Sequence, residues 1–229
     1  MRSEHGPPRE LDRAIVGERT LAQGRAFDFV ALKIRERSGV ERDRLVVKHR
    51  GACVVLGVLT RAEVDAAVQA GAGAGGGRDW LASVDRRAGP FVLLVRNERH
   101  AIPGWLEELP AGGIEAGEPP VEAGEAAGRE LREETGFRAA RLEPSGRFYT
   151  TPGITDELMH AFLATGLEHA GQDLDEDEVL ERVVMPLDEF LTRAAGPAHN
   201  GSEGEMLDGK SVTAALLARA RGMLDRFGV

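Results

Sequence analysis

The sequence is poor in cysteine and in aromatic side chains. Of its 229 residues only Cys53 is a cysteine, and aromatic residues make up 5%. One cysteine cannot form a disulfide within the chain, which excludes a disulfide-stapled secreted scaffold and favours a reducing compartment. Cys53 lies in the apolar run GACVVLGVL. We therefore expect a buried structural thiol rather than a reactive one.

Long apolar runs and an excess of basic residues are also missing. No apolar run approaches the length of a transmembrane helix, and the segment MRSEHGPPRELDR lacks the apolar centre of a signal peptide. We expect a cytoplasmic protein without a membrane partner. Lys and Arg number 29 against 38 Asp and Glu, giving a net charge of −9. This charge argues against a nucleic-acid partner, because such proteins normally show a basic face.

The chain does contain enough apolar residues, 42%, to build one large core. Strand-like patterns precede and follow one central helix, and further helices close the chain. This order indicates an α+β fold with a mixed sheet rather than a regular βαβ repeat. Residues 1–19 are polar and are expected to form an arm or loop. In the first strand pattern, FDFVALKIRERS, we expect Phe27 and Phe29 to pack in a core, with stacking on a nucleotide base as the alternative.

Carboxylates are concentrated at the end of the central helix, which the pattern predicts over residues 119–135. Glu130 and Glu134 lie four residues apart on one face, with Glu133 beside them. Like charges at this spacing repel each other. One interpretation is a solvated acidic face with nearby arginines such as Arg129. The other is a divalent cation, because Mg²⁺ prefers carboxylate oxygens together with substrate phosphates.

The glycines of PAGGIEAGE, just before this helix, favour the cation because they let the backbone approach a ligand closely. The whole stretch resembles the Nudix box, G-x5-E-x7-R-E-U-x-E-E-x-G-U, in which U is apolar. Gly112 and Glu118 fill its first two fixed positions, and RELREETGF at 129–137 matches its distal half. Ten residues lie between Glu118 and Arg129, where the family pattern has seven. We expect the three extra residues to lengthen the loop before the helix.

The resemblance extends to the ADP-ribose pyrophosphatases and related nucleoside-diphosphate-sugar hydrolases of the Nudix family. VVKHRGACVVL and VLLVRNERHAIPGWLEELPAGG look like the strands before the box, and Pro152 looks like the proline that marks this subgroup. The resemblance implies a Nudix fold over residues 51–229, a mixed β-sheet between helices, with an insertion at about 60–88. It implies that residues 1–50 form an N-terminal arm and antiparallel strands that build a homodimer.

The same resemblance implies the site residues. In that family the metals sit on the box helix and on one backbone carbonyl before it; Mg²⁺ is the implied metal here, with Mn²⁺ as the alternative. The implied metal ligands are the carbonyl of Ala111 and the carboxylates of Glu130, Glu133, Glu134 and Glu178. The implied catalytic residues are Glu133 and Glu176, with Glu176 as the base that activates water. Asp175 and Asp177 are close enough in sequence to exchange roles with it. The positions implied near the substrate are Arg99, Glu108, Gly112 and Glu157.

The implied activity is Mg²⁺-dependent hydrolysis of the pyrophosphate bond of ADP-ribose or a related nucleoside diphosphate sugar. The products would be a nucleoside monophosphate and a sugar phosphate. A UDP- or GDP-sugar is the nearest alternative substrate, because base and sugar contacts come from scattered loops. A non-catalytic nucleotide sensor with the same fold is the alternative of a different class. It is disfavoured because the box carboxylates Glu130, Glu133 and Glu134 are all present.

Overall fold

Two compact units make up the chain. The N-terminal unit comprises Met1–Arg50 with Thr151–Glu157, and the main unit comprises Gly51–Thr150 with Leu158–Val229. The computed structural model describes residues 13–72, 80–81, 84–85, 87–102, 104–114, 123–173, 180–196 and 208–229.

The N-terminal unit is a three-stranded antiparallel sheet in the order β1-β2-β3. Its strands are β1 (Arg13–Gln23), β2 (Phe27–Glu36) and β3 (Glu41–His49). The segment Thr151–Glu157 joins β3 through a parallel bridge between Val47 and Thr155. In addition, the backbone N–H of His49 donates to the carboxylate of Asp156 at 2.7 Å. An antiparallel N-terminal sheet is what the sequence predicted.

Two expectations for this unit were wrong. Residues 13–19 are not an arm or loop, because they belong to β1 and pair with β2. Nearly every residue of β1 is exposed, so the strand has no buried face to produce an alternating apolar pattern. Phe27 is 50% exposed instead of packing in a core.

The main unit is built on a seven-stranded mixed sheet. The strand order is β10-β5-β4-β9-β8, with β6 paired to β5 and β7 paired to β4. The strands β4 and β9 run parallel, whereas the other pairs are antiparallel. The strands are β4 (Ala52–Leu59), β5 (Phe91–Arg99), β6 (Gly104–Glu108), β7 (Ala111–Gly113), β8 (Phe137–Tyr149), β9 (Leu158–His169) and β10 (Leu180–Pro186).

Helices cover both faces of this sheet. They are α1 (Arg61–Gln69), α2 (Ala123–Thr135), α3 (Leu187–Ala195) and α4 (Gly209–Ala220). Central strand β4 is buried along its whole length. Alternate side chains of a strand point to opposite faces, so Val54 and Leu56 pack with α3 and α4, whereas Cys53 and Val55 pack with α1 and α2. This arrangement confirms the predicted α+β fold with a mixed sheet between helices.

The first helix lies in the segment 60–88 that the sequence suggested as an insertion. Thr60 caps α1: its side chain accepts a hydrogen bond from the backbone of Glu63, whose carboxylate bonds back to Thr60. This reciprocal pair satisfies two backbone donors of the first turn and fixes where the helix begins. Within the described ranges, no helix has both the length and the apolar character needed to cross a bilayer.

Candidate active site

The glycine turn before the box helix lies along the first half of β4. Ala111 and Gly112 of β7 are paired with Val54 and Cys53. Just before them, the carbonyl of Pro110 accepts a hydrogen bond from the backbone N–H of Val55 at 2.9 Å. The central strand of the sheet thus fixes the backbone that carries the predicted carbonyl ligand.

Helix α2 presents its carboxylates to this turn. One stripe of the helix is buried, at the spacing of an amphipathic helix: Ala123, Ala126, Ala127, Leu131 and Thr135. The helix ends at Thr135 and is followed by Gly136, whose φ of +80° is a left-handed conformation that favours glycine after a helix. Glu134 lies at the edge of the buried stripe and is 6% exposed. Packing of the apolar stripe therefore determines which way the acidic face points.

The structure brings Ala111, Gly112, Glu130 and Glu134 together. A carboxylate oxygen of Glu134 accepts a hydrogen bond from the backbone N–H of Ala111 at 3.1 Å. The carboxylate of Glu130 lies against Gly112, so closely that a Cβ on Gly112 would be 2.0 Å from its carboxyl carbon. The glycine that the sequence assigned to close approach of a ligand therefore also makes room for a carboxylate of the protein.

Glu133, the third box carboxylate, has different surroundings. Its side chain is 27% exposed and lies 3.5 Å from Arg129 and 3.6 Å from Arg132. Arg129 also lies 3.3 Å from Glu130. Arginines of the same helix thus offset part of its negative charge, as the sequence suggested, and Glu133 faces solvent more than Glu134 does.

The donor set fits a hard divalent cation, because it offers carboxylate and backbone oxygens. Within the described residues no cluster of three or more acidic, histidine or cysteine side chains has metal-binding geometry. The set there consists of two carboxylates and the turn backbone. Several predicted participants lie outside the described residues: Glu118, Asp175, Glu176, Asp177 and Glu178.

A buried ion cluster stands immediately before the glycine turn. Glu108 is 1% exposed, and Arg99 donates to its two oxygens at 2.7 and 2.5 Å. Lys210 donates to the same carboxylate from α4. Burial raises the pKa of Glu108, but the hydrogen bond from Arg99 and the charge of Lys210 outweigh it and hold the pKa below its usual value. The hydrogen bond to Glu108 raises the pKa of Arg99.

Glu107, the neighbour of Glu108 on β6, is neutralised in the same way. It is 5% exposed and lies 2.9 Å from Arg96 and 3.2 Å from Arg193. Sequence reasoning missed Glu107, Arg193 and Lys210. The signal for such a cluster was the dipeptide Glu107-Glu108 in a strand leading to a buried turn, because buried charges require partners.

The carbonyl end of α2 is held by the segment that follows β9. The Gln172 side-chain amide donates to the carbonyl of Glu134 at 2.6 Å, and the backbone N–H of Asp173 donates to that of Glu133 at 3.2 Å. Arg132 adds a salt bridge to Asp173 at 3.2 Å. These bonds satisfy helix-terminal carbonyls that have no partner within the helix.

The sequence also singled out Glu157 as a position near the substrate and Cys53 as a buried thiol. Glu157 belongs to the N-terminal unit, where its carboxylate lies 3.6 Å from Nε2 of His49. Cys53 is fully buried, as predicted, and its thiol donates to the carbonyl of Gly112 at 3.6 Å. Burial raises the pKa of this thiol to about 12. A thiol with this pKa stays protonated and is a poor nucleophile at neutral pH.

Comparison with known proteins identifies the family. Residues 78–204, more than half of the chain, match the family model of the NUDIX domain. The chain belongs to the Nudix family. It is a Nudix hydrolase, and Nudix hydrolases generally need a divalent metal ion. The matched region contains Ala111, Gly112 and all three carboxylates at the end of α2.

Similar proteins share much of the chain. An ADP-ribose pyrophosphatase of Bacillus subtilis is 29% identical over 185 residues, which cover 80% of this chain and 83% of that protein. A GDP-mannose pyrophosphatase of Cronobacter sakazakii is 30% identical over 163 residues, covering 62% and 78%. A solved structure described as an ADP compounds hydrolase superposes with a TM-score of 0.65 at 21% identity, covering 94% of this chain and 96% of that one. This last likeness concerns the fold.

Proposed function

We propose that this Nudix hydrolase cleaves the pyrophosphate bond of ADP-ribose or a related nucleoside diphosphate sugar in the presence of Mg²⁺. Water would attack one phosphorus, and the bond from that phosphorus to the bridging oxygen would break. The products would be a nucleoside monophosphate and a sugar phosphate. The observation that carries the proposal is the meeting of Glu130 and Glu134 with the Ala111 and Gly112 backbone.

The residues of the chain have separable roles in this proposal. Glu130, Glu134 and the carbonyl of Ala111 would hold the metal, with Glu133 and Glu178 as further ligands. When bound, Mg²⁺ would neutralise the diphosphate and lower the pKa of a water molecule. Glu176 would accept the proton of the attacking water, a contribution that is typically worth about 10²–10⁴-fold. Asp175, Asp177 and Glu178 are the alternatives for this base, and Glu133 is the second proposed catalytic residue.

Substrate contacts are proposed for Arg99, Gly112 and Glu157, whereas Glu108, which is 1% exposed, would act near the substrate by orienting Arg99. Arginine suits a diphosphate because its planar guanidinium can make two parallel hydrogen bonds to phosphate oxygens. The side chain of Arg99 is 43% exposed while it bonds Glu108. A substrate phosphate would therefore share this guanidinium with Glu108, which fixes its orientation.

Two alternatives remain distinct from the main proposal. A GDP- or UDP-sugar is the first alternative, and the likeness to the GDP-mannose pyrophosphatase supports the GDP-sugar. A non-catalytic sensor is the second alternative. It is disfavoured by the box carboxylates and by the ordered approach of Glu130 and Glu134 to the turn.

A substrate panel tests the proposal. ADP-ribose, UDP-glucose, GDP-mannose, NADH and diadenosine polyphosphates would be incubated with Mg²⁺ and with wild type or Glu134→Gln, and the products would be identified by chromatography. We expect AMP and ribose 5-phosphate from ADP-ribose, and a loss of about a thousandfold in kcat/KM for the variant, equivalent to about 4 kcal/mol. Equal turnover by the variant would refute the metal assignment. No turnover of any diphosphate would favour the sensor.

We also propose that the protein is a cytoplasmic homodimer assembled through the N-terminal strands. The long strand β1 supports this assembly, because it carries the exposed apolar side chains Ile15, Val16 and Leu21. Solvent-exposed apolar residues on a long outer strand are a liability that pairing with another chain removes. Light scattering during gel filtration at micromolar concentration should give twice the chain mass of 24.6 kDa. A single species of chain mass would count against the dimer.

A further inference from the structure

The first turn of α4 contacts the backbone that leads into the metal-binding turn. Asp208 caps this helix by accepting a hydrogen bond from the backbone N–H of Ser211 at 3.1 Å. The other oxygen of Asp208 accepts from Lys210 at 2.5 Å. The helix cap and the bond from Lys210 to Asp208 together fix where the side chains of Lys210 and Ser211 point. Both residues lie beyond the region 78–204 that matches the family model.

Ser211 supplies a hydrogen bond that the sheet does not provide. Its hydroxyl accepts from the backbone N–H of Leu109 at 2.8 Å, and both residues are 0% exposed. Leu109 stands between the end of β6 and the start of β7, outside both named strands. A buried backbone N–H is costly when it lacks an acceptor, so Ser211 fixes the position of Leu109.

Lys210 fixes the residue before it. Its ammonium group donates to Glu108, which Arg99 holds from the other side. The Lys210 side chain is 12% exposed and that of Glu108 is 2% exposed, so this pair is well shielded from water. A shielded ion pair of this kind is lost only at high cost, because it would leave an uncompensated buried charge.

Glu108 and Leu109, the two residues held in this way, are separated by only Pro110 from Ala111, the first residue of the glycine turn that would bind the metal. Pro110 has a ring-locked φ, and its carbonyl is held by Val55. The next residue, Ala111, donates to Glu134. A shift of Leu109 therefore reaches Ala111 through a stiff link and disturbs its bond to Glu134.

We propose that Lys210 and Ser211 are positioning residues for the metal site, because they hold Glu108 and Leu109 so that Ala111 stays beside Glu134. The proposal rests on the proposed function. It adds the C-terminal helix, which the sequence suggested only as a closing helix, to the active-site framework. Neither residue needs to touch metal or substrate.

Binding of Mn²⁺ alone, measured by isothermal titration calorimetry on the full chain, tests this role. Ser211→Ala removes the acceptor, and Lys210→Met removes the charge at similar length. We expect each variant to raise the Kd for Mn²⁺ about tenfold, the lower end of the effect of residues that orient metal ligands. Lys210→Arg should restore most of the affinity. In hydrolysis assays, the Mn²⁺ concentration that gives half-maximal activity should rise by a larger factor than the factor by which kcat falls at saturating Mn²⁺.

Thr213→Ala is the matched control, because the Thr213 hydroxyl bonds within α4 to the carbonyl of Gly209. It should bind Mn²⁺ like wild type. Circular dichroism would establish that each variant is folded at the assay temperature, and Lys210→Met decides the question if Ser211→Ala does not fold. Wild-type Kd values in folded Ser211→Ala and Lys210→Met would overturn the proposal. If wild type itself binds no Mn²⁺ and cleaves no diphosphate, the proposed function fails and this inference falls with it.

Discussion

Two pairs of carboxylates lie near one another in the main unit, and their surroundings differ. Glu107 and Glu108 end strand β6, and each contacts two basic side chains from other parts of the chain. Glu130 and Glu134 lie on one face of α2, and they approach the backbone of a turn. Arg129, on the same helix, lies near Glu130.

We interpret this difference as one between charge that holds the fold and charge that would serve the proposed chemistry. Around β6, basic side chains from β5, α3 and α4 neutralise the buried carboxylates, so removing one carboxylate leaves its partly buried basic partners without their counter-charge. On α2, two like charges share a helix face and repel each other, a cost that a bound cation would relieve. We therefore expect substitutions on β6 to lower stability and substitutions at the α2 site to lower activity.

Among the further substitutions that test this comparison, Gly112→Ala should have the largest effect, a loss of hydrolysis. The new Cβ would overlap the Glu130 carboxylate, which lies at 2.0 Å from its ideal position. The flexible end of Glu130 can move away, so the free energy of unfolding should change by less than about 1 kcal/mol. Displacing this proposed metal ligand should lower kcat/KM about a hundredfold or more. Steady-state kinetics and thermal unfolding measure the two effects.

Gly113→Ala is the control for that variant, because a Cβ there would have no heavy atom within 4 Å. It should keep wild-type kcat/KM. Equal losses in the two variants would mean that the turn tolerates no side chain at all, and the specific contact with Glu130 would not explain the result.

Glu108→Gln should give the next largest effect, now on stability. Removing one partner of a buried ion pair costs about 3–5 kcal/mol, and the 43% exposure of the Arg99 side chain reduces this to about 2 kcal/mol. Urea unfolding measures the difference. Glu181→Gln, at a 60% exposed partner of Arg96, should cost less than about 0.5 kcal/mol. Unchanged stability with lost activity would instead favour Glu108 as a substrate contact.

The stability that Glu108 contributes should also depend on pH. Its pKa in the folded protein lies below the ordinary value of 4.5. The contribution is therefore fully present above that value and is lost as the pH falls through the lower, folded-state pKa. The difference in Tm between wild type and Glu108→Gln should shrink as the pH is lowered below about 4. A difference that is constant down to low pH would argue against ionised Glu108 as the stabilising species.

The smallest expected effect is on the rate at which the Cys53 thiol reacts with a reagent, a rate that depends on how often the protein opens. Its thiol is 0% exposed and has its pKa raised to about 12. Wild type should therefore react with a thiol reagent at pH 8 only through rare opening, and Glu134→Gln should react equally slowly. Glu108→Gln should react faster, because its open state is more populated. Fast labelling of native wild type would show that the sheet behind the turn is accessible.

The box helix and its acidic face could be predicted because the residues that specify them are close together in the sequence. The period of a helix places Glu130 and Glu134 on one face, and the glycines before it indicate a close backbone approach. The ion cluster of β6 could not be predicted from the sequence, because Glu108 and Lys210 are 102 residues apart and come together only in the folded protein. Strand β1 was missed for a related reason, because it is fixed by pairing with β2 and its exposed residues give no apolar alternation. Phe27, the first residue of β2, is exposed although its strand pattern predicted burial.

The most direct test of the different roles of the two carboxylate pairs is thermal unfolding with and without Mn²⁺. It would be measured for wild type, Glu134→Gln and Glu107→Gln. At about 100 times its Kd, a metal that binds only the folded state adds about 2.7 kcal/mol, which raises Tm by about 5–10 °C in a chain of this size. We predict this rise for wild type, and for Glu107→Gln from a lower starting Tm. Glu134→Gln should start at or above the wild-type Tm and gain little. An equal rise in Glu134→Gln, or none in wild type, would contradict the assignment of the α2 carboxylates to a metal site.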